Sequence, residues 1–183
     1  EQRPLVGTLN IINPRPISAA LREFFASSQF SQYMDQINPL SELSHKRRIT
    51  SLGPGGLSPD RITLVARDIH PSQYGRICPI ESPEGSNVGL LGTLPCMARI
   101  DSYGEIYAPF RQVFNGQVMY EKPVIYLASH EEKIFNVIAP DIELKNKHIS
   151  TPSSIIKKNQ DLEVIPSGKV DFMYCSVLQI ISV

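Results

Sequence analysis

FFASSQFSQYMDQINPLSELSHKRRITSLGPGGL, residues Phe24 to Leu57, sets aromatic and aliphatic side chains at helical spacing and then runs into His45-Lys46-Arg47-Arg48. Fixed positive charges with a titratable neighbour thus sit at a predicted helix end, and Gly53-Pro54-Gly55-Gly56 follows at once. A cationic helix end feeding a bare-backbone loop can hold a polyanion where side chains would be in the way. The same run is equally readable as a solvated helix end favoured by the helix dipole.

Upstream, Pro14 and Pro16 leave a helix start, and Ile17, Ala20, Leu21, Phe24 and Phe25 follow the helical period. A second short helix is predicted over Gln29 to Gln36, interrupted at Asn38-Pro39, and a third from Pro39 to Arg47. Residues 53–60, GPGGLSPD, predict an exposed loop, and ITLVAR, Ile62 to Arg67, a strand rising from it. Residues 70–89, HPSQYGRICPIESPEGSNVG, are rich in Pro, Gly and Ser yet hold Ile77, Cys78 and Ile80, which predicts an ordered, shaped loop. Past Leu94 the pattern is all β. Turns are predicted at Asp101 to Gly104 and at Asn115-Gly116, and strands in VIYLAS, KIFNVIAP, LEVIP, KVDFMYCS and VLQIISV. The fold class expected is α+β: a helical segment with short strands, then a small β-rich, barrel-like module, with a boundary near residue 105.

Charge limits what the basic run can do. The 183 residues carry 18 basic and 18 acidic side chains, for a formal net charge of zero and a pI near 7.1. A free-standing DNA-binding domain would show a net basic footprint. The chain therefore either binds no nucleic acid or contributes one cationic wall to a larger channel. Polar side chains (Gln29, Gln32, Asn38, Thr50, Ser51, Asn87) alternating with Arg48, Arg61, Arg67 and Arg76 suit contact with sugar and phosphate without base reading.

Self-contained catalysis finds little support. Glu81 and Glu84 flank a proline on a loop with no predicted apolar pocket to separate their pKa values. Cys78 with His70 lacks a third orienting group. The three cysteines form no CxxC pair, the histidines no HExxH or HxH pattern, and the carboxylates no DxD array, so no metal site is expected. No apolar run reaches the roughly 20 residues that cross a bilayer, so no membrane partner is expected. The first residues show no signal region or arginine-rich presequence, and the last are an apolar run, VLQIISV. An internal piece of something larger is the expectation from both ends.

SSQFSQYMDQINPLSELSHKRRITSLGPGGL followed by ARDIHPSQYGRICPIESPEGSNVGLLGTL closely resembles the β subunit of bacterial-type multisubunit DNA-directed RNA polymerase. The first block looks like that subunit's rifamycin-resistance cluster running into its fork loop, and the second like the segment that completes the same pocket. These motifs cover roughly residues 14–98, and YGEIYAPFRQV, VIYLAS and VDFMYCSVLQIISV extend a weaker likeness. The resemblance implies the end of the protrusion over 1–28, the fork region over 29–104, and an external β-rich module with a return strand over 105–183.

It also implies roles. Gln32, Arg48, Pro83, Glu84 and Asn87 would face the nascent RNA and the RNA–DNA hybrid. Gln32, Tyr33, Asp35, His45, Arg48, Thr50 and Leu52 would form a rifamycin-pocket wall. Gly53, Pro54, Gly55, Gly56, Leu57, Ser58, Pro59 and Asp60 would form the fork loop where downstream duplex opens. Bacterial relatives usually carry Phe where this chain has Tyr33 and Ser where it has Thr50, and Pro59 stands where they more often have an arginine, which puts a DNA contact there in doubt.

Catalytic residues are expected in none of this chain: the catalytic Mg2+, and zinc, belong to the β′ subunit. The expected function is nucleotidyl transfer from NTPs to the RNA 3′ end by the assembled enzyme, with this chain inactive alone. Expected partners are β′, the remainder of β, the α subunits, a sigma factor, template DNA and nascent RNA. The composition and the motif departures point to an algal plastid, with a bacterial cytoplasm as the alternative and a split β gene as one origin. An independent nucleic-acid-binding adaptor remains the rival reading.

Overall fold

The computed structural model describes residues 12–58, 62–159 and 161–183. Pro59, Asp60 and Arg61, and the first eleven positions of the protrusion-like stretch, lie outside the described residues.

Helix α1 spans Arg15–Ser27, with Pro16 in its first turn where the missing N–H costs nothing. Its apolar side chains Ile17, Leu21, Phe24 and Phe25 all remain exposed. The helix predicted over 29–36 does not form; residues 31–36 run without regular structure. Serines here compete for the backbone: Phe30 N–H donates to Ser28 Oγ (3.3 Å) and Ser31 Oγ donates to the Phe25 carbonyl (3.1 Å). Helix α2, Pro39–Lys46, then starts on a reciprocal cap in which Asn38 Oδ1 accepts from Ser41 N–H (2.8 Å) and Ser41 Oγ from Asn38 N–H (3.2 Å).

From α2 the chain enters β1 (Arg48–Thr50), which pairs antiparallel with β2 (Leu91–Thr93) in the register Arg48↔Thr93, Ile49↔Gly92, Thr50↔Leu91. This two-stranded sheet joins the two motif blocks. The strand predicted over 62–67 is instead a 3-10 turn at Leu64–Arg67. Leu64 and Val65 are exposed and find no partner strand among the described residues, and Ala66 and Asp68 N–H close short turns onto Thr63 and Val65. A second 3-10 turn covers Pro71–Gln73.

The β-rich part is one ten-stranded sheet in which β11-β10-β7-β12-β4-β5-β9-β8 are neighbours in that order, with β3 and β6 also on β4. Here β3 is Arg99–Ile100, β4 Ile106–Phe114, β5 Gln117–Val118 and β6 Ile125–Leu127; β7 is Val137–Ile138 and β8 Leu144–Lys145; β9 is His148–Ile149, β10 Ser153–Lys158, β11 Asp161–Pro166 and β12 Phe172–Tyr174. A short helix α3, Ser129–Glu132, follows β6. The predicted hairpin is present: Asn115 (φ 47) and Gly116 (φ 77) both take the left-handed conformation that a two-residue turn requires between β4 and β5.

Alternation along the central strands puts a core on each face. Ala108, Phe110, Leu127, Val137, Phe172 and Tyr174 form one cluster. Their neighbours one position along, Ile138 and Met173, join Val113, Val118, Ile156 and Val170 in the other. The expected barrel is not there: among the described residues β11 and β8 end the sheet without pairing to each other, so it is open. The last predicted strand, VLQIISV, is also corrected, to a 3-10 turn at Val177–Ile180. Fully buried Gln179 holds that turn: its Oε1 accepts from Cys175 (2.6 Å) and Ser176 (3.2 Å) N–H, and its Nε2 donates to the Pro109 carbonyl (3.1 Å).

A buried ionic cluster ties the loop before β2 to the large sheet. Glu132 accepts from Arg76, from Lys157 Nζ (2.9 Å) and from Tyr174 OH (3.1 Å), while Arg76 also donates to the Leu127 carbonyl (2.9 Å) and Lys157 to that of Pro71 (2.7 Å). Burial, then the adjacent Glu132 carboxylate, hold the Tyr174 hydroxyl far above its ordinary pKa. Arg76, grouped by sequence with cations free to meet phosphate, is thus a core residue.

Candidate nucleic-acid interface

Segment 28–36, the end of α2, β1 and β2 surround a cavity of about 450 Å³. Gln32, His45, Arg48, Thr50 and Leu52 line it, together with Lys46 of the basic run and with Phe30, Met34 and Leu91, which sequence reading did not single out as site residues. Among the described residues no carboxylate lines it, and Arg48 and Lys46 supply its fixed charge. Tyr33 and Asp35 are not on its lining, and the Tyr33 ring is wholly exposed.

The loop crossing the cavity floor is shaped by hydrogen bonds to the main chain. Asp35 N–H donates to His45 Nδ1 (3.0 Å), which leaves the imidazole Nε2 as the protonated nitrogen facing Gln32 Oε1 at 2.8 Å. Gln32 Nε2 donates in turn to the Gln29 carbonyl (3.0 Å). Arg47, unlike its neighbours in the basic run, is structural: its guanidinium donates to the Pro95 carbonyl and its own carbonyl accepts from Leu94 N–H (3.0 Å). Arg48 makes no ion pair among the described residues.

The glycine loop turns back immediately. Gly56 N–H donates to the Gly53 carbonyl (2.9 Å) and Leu57 N–H to that of Ser51 (2.8 Å), closing a ring over Pro54 and Gly55. Ser58 continues the chain from this ring.

A second cavity, of about 250 Å³, is lined by Arg48, Glu81, Ser82, Pro83, Leu91 and Thr93 among others. Arg48 therefore belongs to both hollows, sharing one with Gln32 and the other with Pro83. Glu84 and Asn87 line neither and are exposed on the loop beyond Pro83. That loop is ordered, as expected, by residues whose role sequence reading did not foresee. Arg67 donates to the Ser86 (2.7 Å) and Val88 (3.0 Å) carbonyls, so this cation is also occupied by protein. Ser82 Oγ accepts from Gly89 N–H (3.0 Å) and donates to the Leu91 carbonyl (3.3 Å). The only warning in the sequence was the pair of glycines, Gly85 and Gly89, that bound GSNVG.

The alternative catalytic pairs do not assemble. His70 is turned to Ser72 (2.6 Å), and Cys78 Sγ accepts from Glu81 N–H (3.5 Å). Burial raises the Cys78 pKa, but the N–H groups of Glu81, Ile80 and Ser182 and the Ser182 side chain bring it below the ordinary thiol value. Glu81 is bonded to the Ser182 hydroxyl. No group of three or more His, Cys, Asp or Glu among the described residues could hold a metal ion, so these residues do not fit a magnesium or zinc site.

Among the described residues the sheet is open, helix α1 leaves its apolar side chains exposed, and Lys46 and Arg48 line the first hollow without a carboxylate beside them. Residues 32–100 match the family RNA polymerase Rpb2, domain 3. The DNA-directed RNA polymerase subunit beta of Cyanidium caldarium is 50% identical over 186 residues, covering 100% of this chain and 17% of that subunit. The subunit of the same name from Trichormus variabilis is 48% identical over 175 residues (95% of this chain, 16% of that subunit), and that of Guillardia theta 51% over 174 residues (94% and 16%). The chain belongs to the RNA polymerase β-subunit family and spans about one sixth of the length of these curated relatives.

Proposed function

We propose that this chain forms part of the wall of the main cleft of a DNA-directed RNA polymerase, beside the RNA–DNA hybrid and the downstream fork. The observation that carries this reading is the position of Arg48, a cation with no ion pair among the described residues that is shared by two hollows edged by Gln32 and Pro83. Arg48 and Lys46 neutralise backbone phosphate, and Gln32 and exposed Asn87 offer sequence-independent hydrogen bonds. Glu84 borders the path of the nascent RNA. The larger hollow is the counterpart of the rifamycin pocket, with Gln32, His45, Arg48, Thr50 and Leu52 on its wall and Tyr33 and Asp35 at its rim. The closed ring of Gly53 to Leu57, continuing to Ser58, Pro59 and Asp60, meets the DNA where its strands part.

Nucleotidyl transfer itself is assigned to residues outside this chain, so the segment serves by positioning. Its partners are β′, the rest of β, the α subunits, a sigma factor, template DNA and nascent RNA. A plastid is its setting, with a bacterial cytoplasm as the alternative, in keeping with relatives from both algae and cyanobacteria. Arg48→Ala in the assembled enzyme is expected to shorten elongation-complex lifetime on every template sequence and to reduce the salt dependence of retention by about one phosphate contact. Unchanged lifetime and salt slope would count against the assignment.

A further inference from the structure

His45 stands at the cavity wall, yet both of its ring nitrogens are committed to protein. Nδ1 accepts from the Asp35 main chain at 3.0 Å, and Nε2 faces Gln32 Oε1 at 2.8 Å. An imidazole used in this way has no donor or acceptor left for a ligand. Its effect falls on Gln32. An amide side chain can turn end for end, exchanging carbonyl for NH2, and an exposed Gln otherwise samples both arrangements. With the His45 N–H held against Oε1, the amide has one orientation only. One N–H of Gln32 then goes to the Gln29 carbonyl (3.0 Å), and the other is left for the hollow. The side chain therefore presents its free N–H to whatever occupies that space, with Oε1 turned to His45.

We infer that His45 is a positioning residue that locks Gln32 as a hydrogen-bond donor toward oxygen acceptors of the nucleic acid, a sugar hydroxyl, a base carbonyl or a phosphate. The inference rests on the cleft reading above. It assigns His45 no contact with nucleic acid. Helix α2 supplies the rigidity: its reciprocal Asn38–Ser41 cap fixes the helix that carries His45, and the Asp35 main-chain bond fixes the ring on that helix. The segment that carries Gln32 has no regular secondary structure, and the Asp35–His45 bond ties it to α2 beside the local bonds of Ser28 and Ser31.

The test is a double-mutant cycle in the assembled polymerase, reading elongation-complex lifetime. Gln32→Ala and His45→Asn are each expected to shorten it about three- to tenfold, the equivalent of one hydrogen bond. The double variant is expected to be no worse than Gln32→Ala. His45→Gln, which keeps an N–H within reach of Gln32, is expected to restore most of the lifetime, whereas His45→Asn keeps only an acceptor for Asp35. His45→Leu, which fills similar space without an N–H, is the packing control and is expected to lose as much lifetime as His45→Asn. Losses that multiply in the double variant, or equal losses in His45→Gln and His45→Asn, would overturn the inference. Silent Gln32→Ala beside a damaging Arg48→Ala would also overturn it while leaving the cleft reading standing. Silence of both would remove the cleft reading itself.

Discussion

Glu132→Gln is expected to lower the stability of the large sheet by about 3–5 kcal/mol, the usual effect of deleting one partner of a buried ion pair. The carboxylate serves Arg76, Lys157 and Tyr174 together, and Arg76 and Glu132 are nearly inaccessible to water. The amide would preserve shape but leave cations in the interior without a counter-charge, a state that burial penalises heavily. Each partner comes from a different place: Arg76 from the loop before β2, Lys157 from β10 and Tyr174 from β12. The loss should therefore appear as faster amide exchange in β10, β12 and the 70–78 loop together. A change below about 1 kcal/mol, or one confined to α3, would show that the cluster does not join these parts.

Gly89→Ala should have the second large effect. Gly89 has φ +75, and a Cβ there would lie 2.2 Å from the Arg67 carbonyl oxygen and 2.7 Å from its Cα. Backbone on backbone cannot be relieved by a rotamer change. The left-handed conformation alone costs on the order of 1 kcal/mol for alanine, and the clash adds to it. The loop from Ser82 to Val88 must then swing off Arg67, releasing the bonds to Ser86 and Val88 and displacing Pro83 and Asn87. In the assembled enzyme, complex lifetime is expected to fall at least as far as in Arg48→Ala. Gly85→Ala is the matched control, because Gly85 also has positive φ (+89) but its Cβ would meet nothing within 4 Å. Equal behaviour of the two variants would refute the close-approach argument.

Much of this was legible in the sequence for identifiable reasons. Helices α1 and α2 have proline in the first turn and apolar periodicity, and Asn115-Gly116 admits few alternatives to a tight hairpin. The failures share a cause. Residues 29–36 have helical spacing, but Ser28, Ser31 and His45 capture their backbone, and the capture by His45 comes from ten residues away. ITLVAR and VLQIISV are apolar enough for strands, yet one lacks a partner and the other is held in a turn by Gln179. Strands β1 and β2 are too short to show a period and exist because they pair across some forty intervening residues. At the site, residue type identified the cations but not their employment: among the described residues Arg48 makes no ion pair, whereas Arg47, Arg67 and Arg76 are bound to protein. Nothing local in a sequence distinguishes these fates, because each partner is distant along the chain.

The central claim, that this segment walls the path of the RNA–DNA hybrid, is tested most directly by placing a photo-crosslinking side chain at Asn87 in the assembled polymerase. Tyr103, exposed on the turn between β3 and β4, serves as the reference position. Stalled elongation complexes with end-labelled RNA are irradiated at both positions. The account predicts that position 87 labels the RNA near its 3′ end and that position 103 does not. No RNA labelling from 87, or equal labelling from both positions, would contradict it.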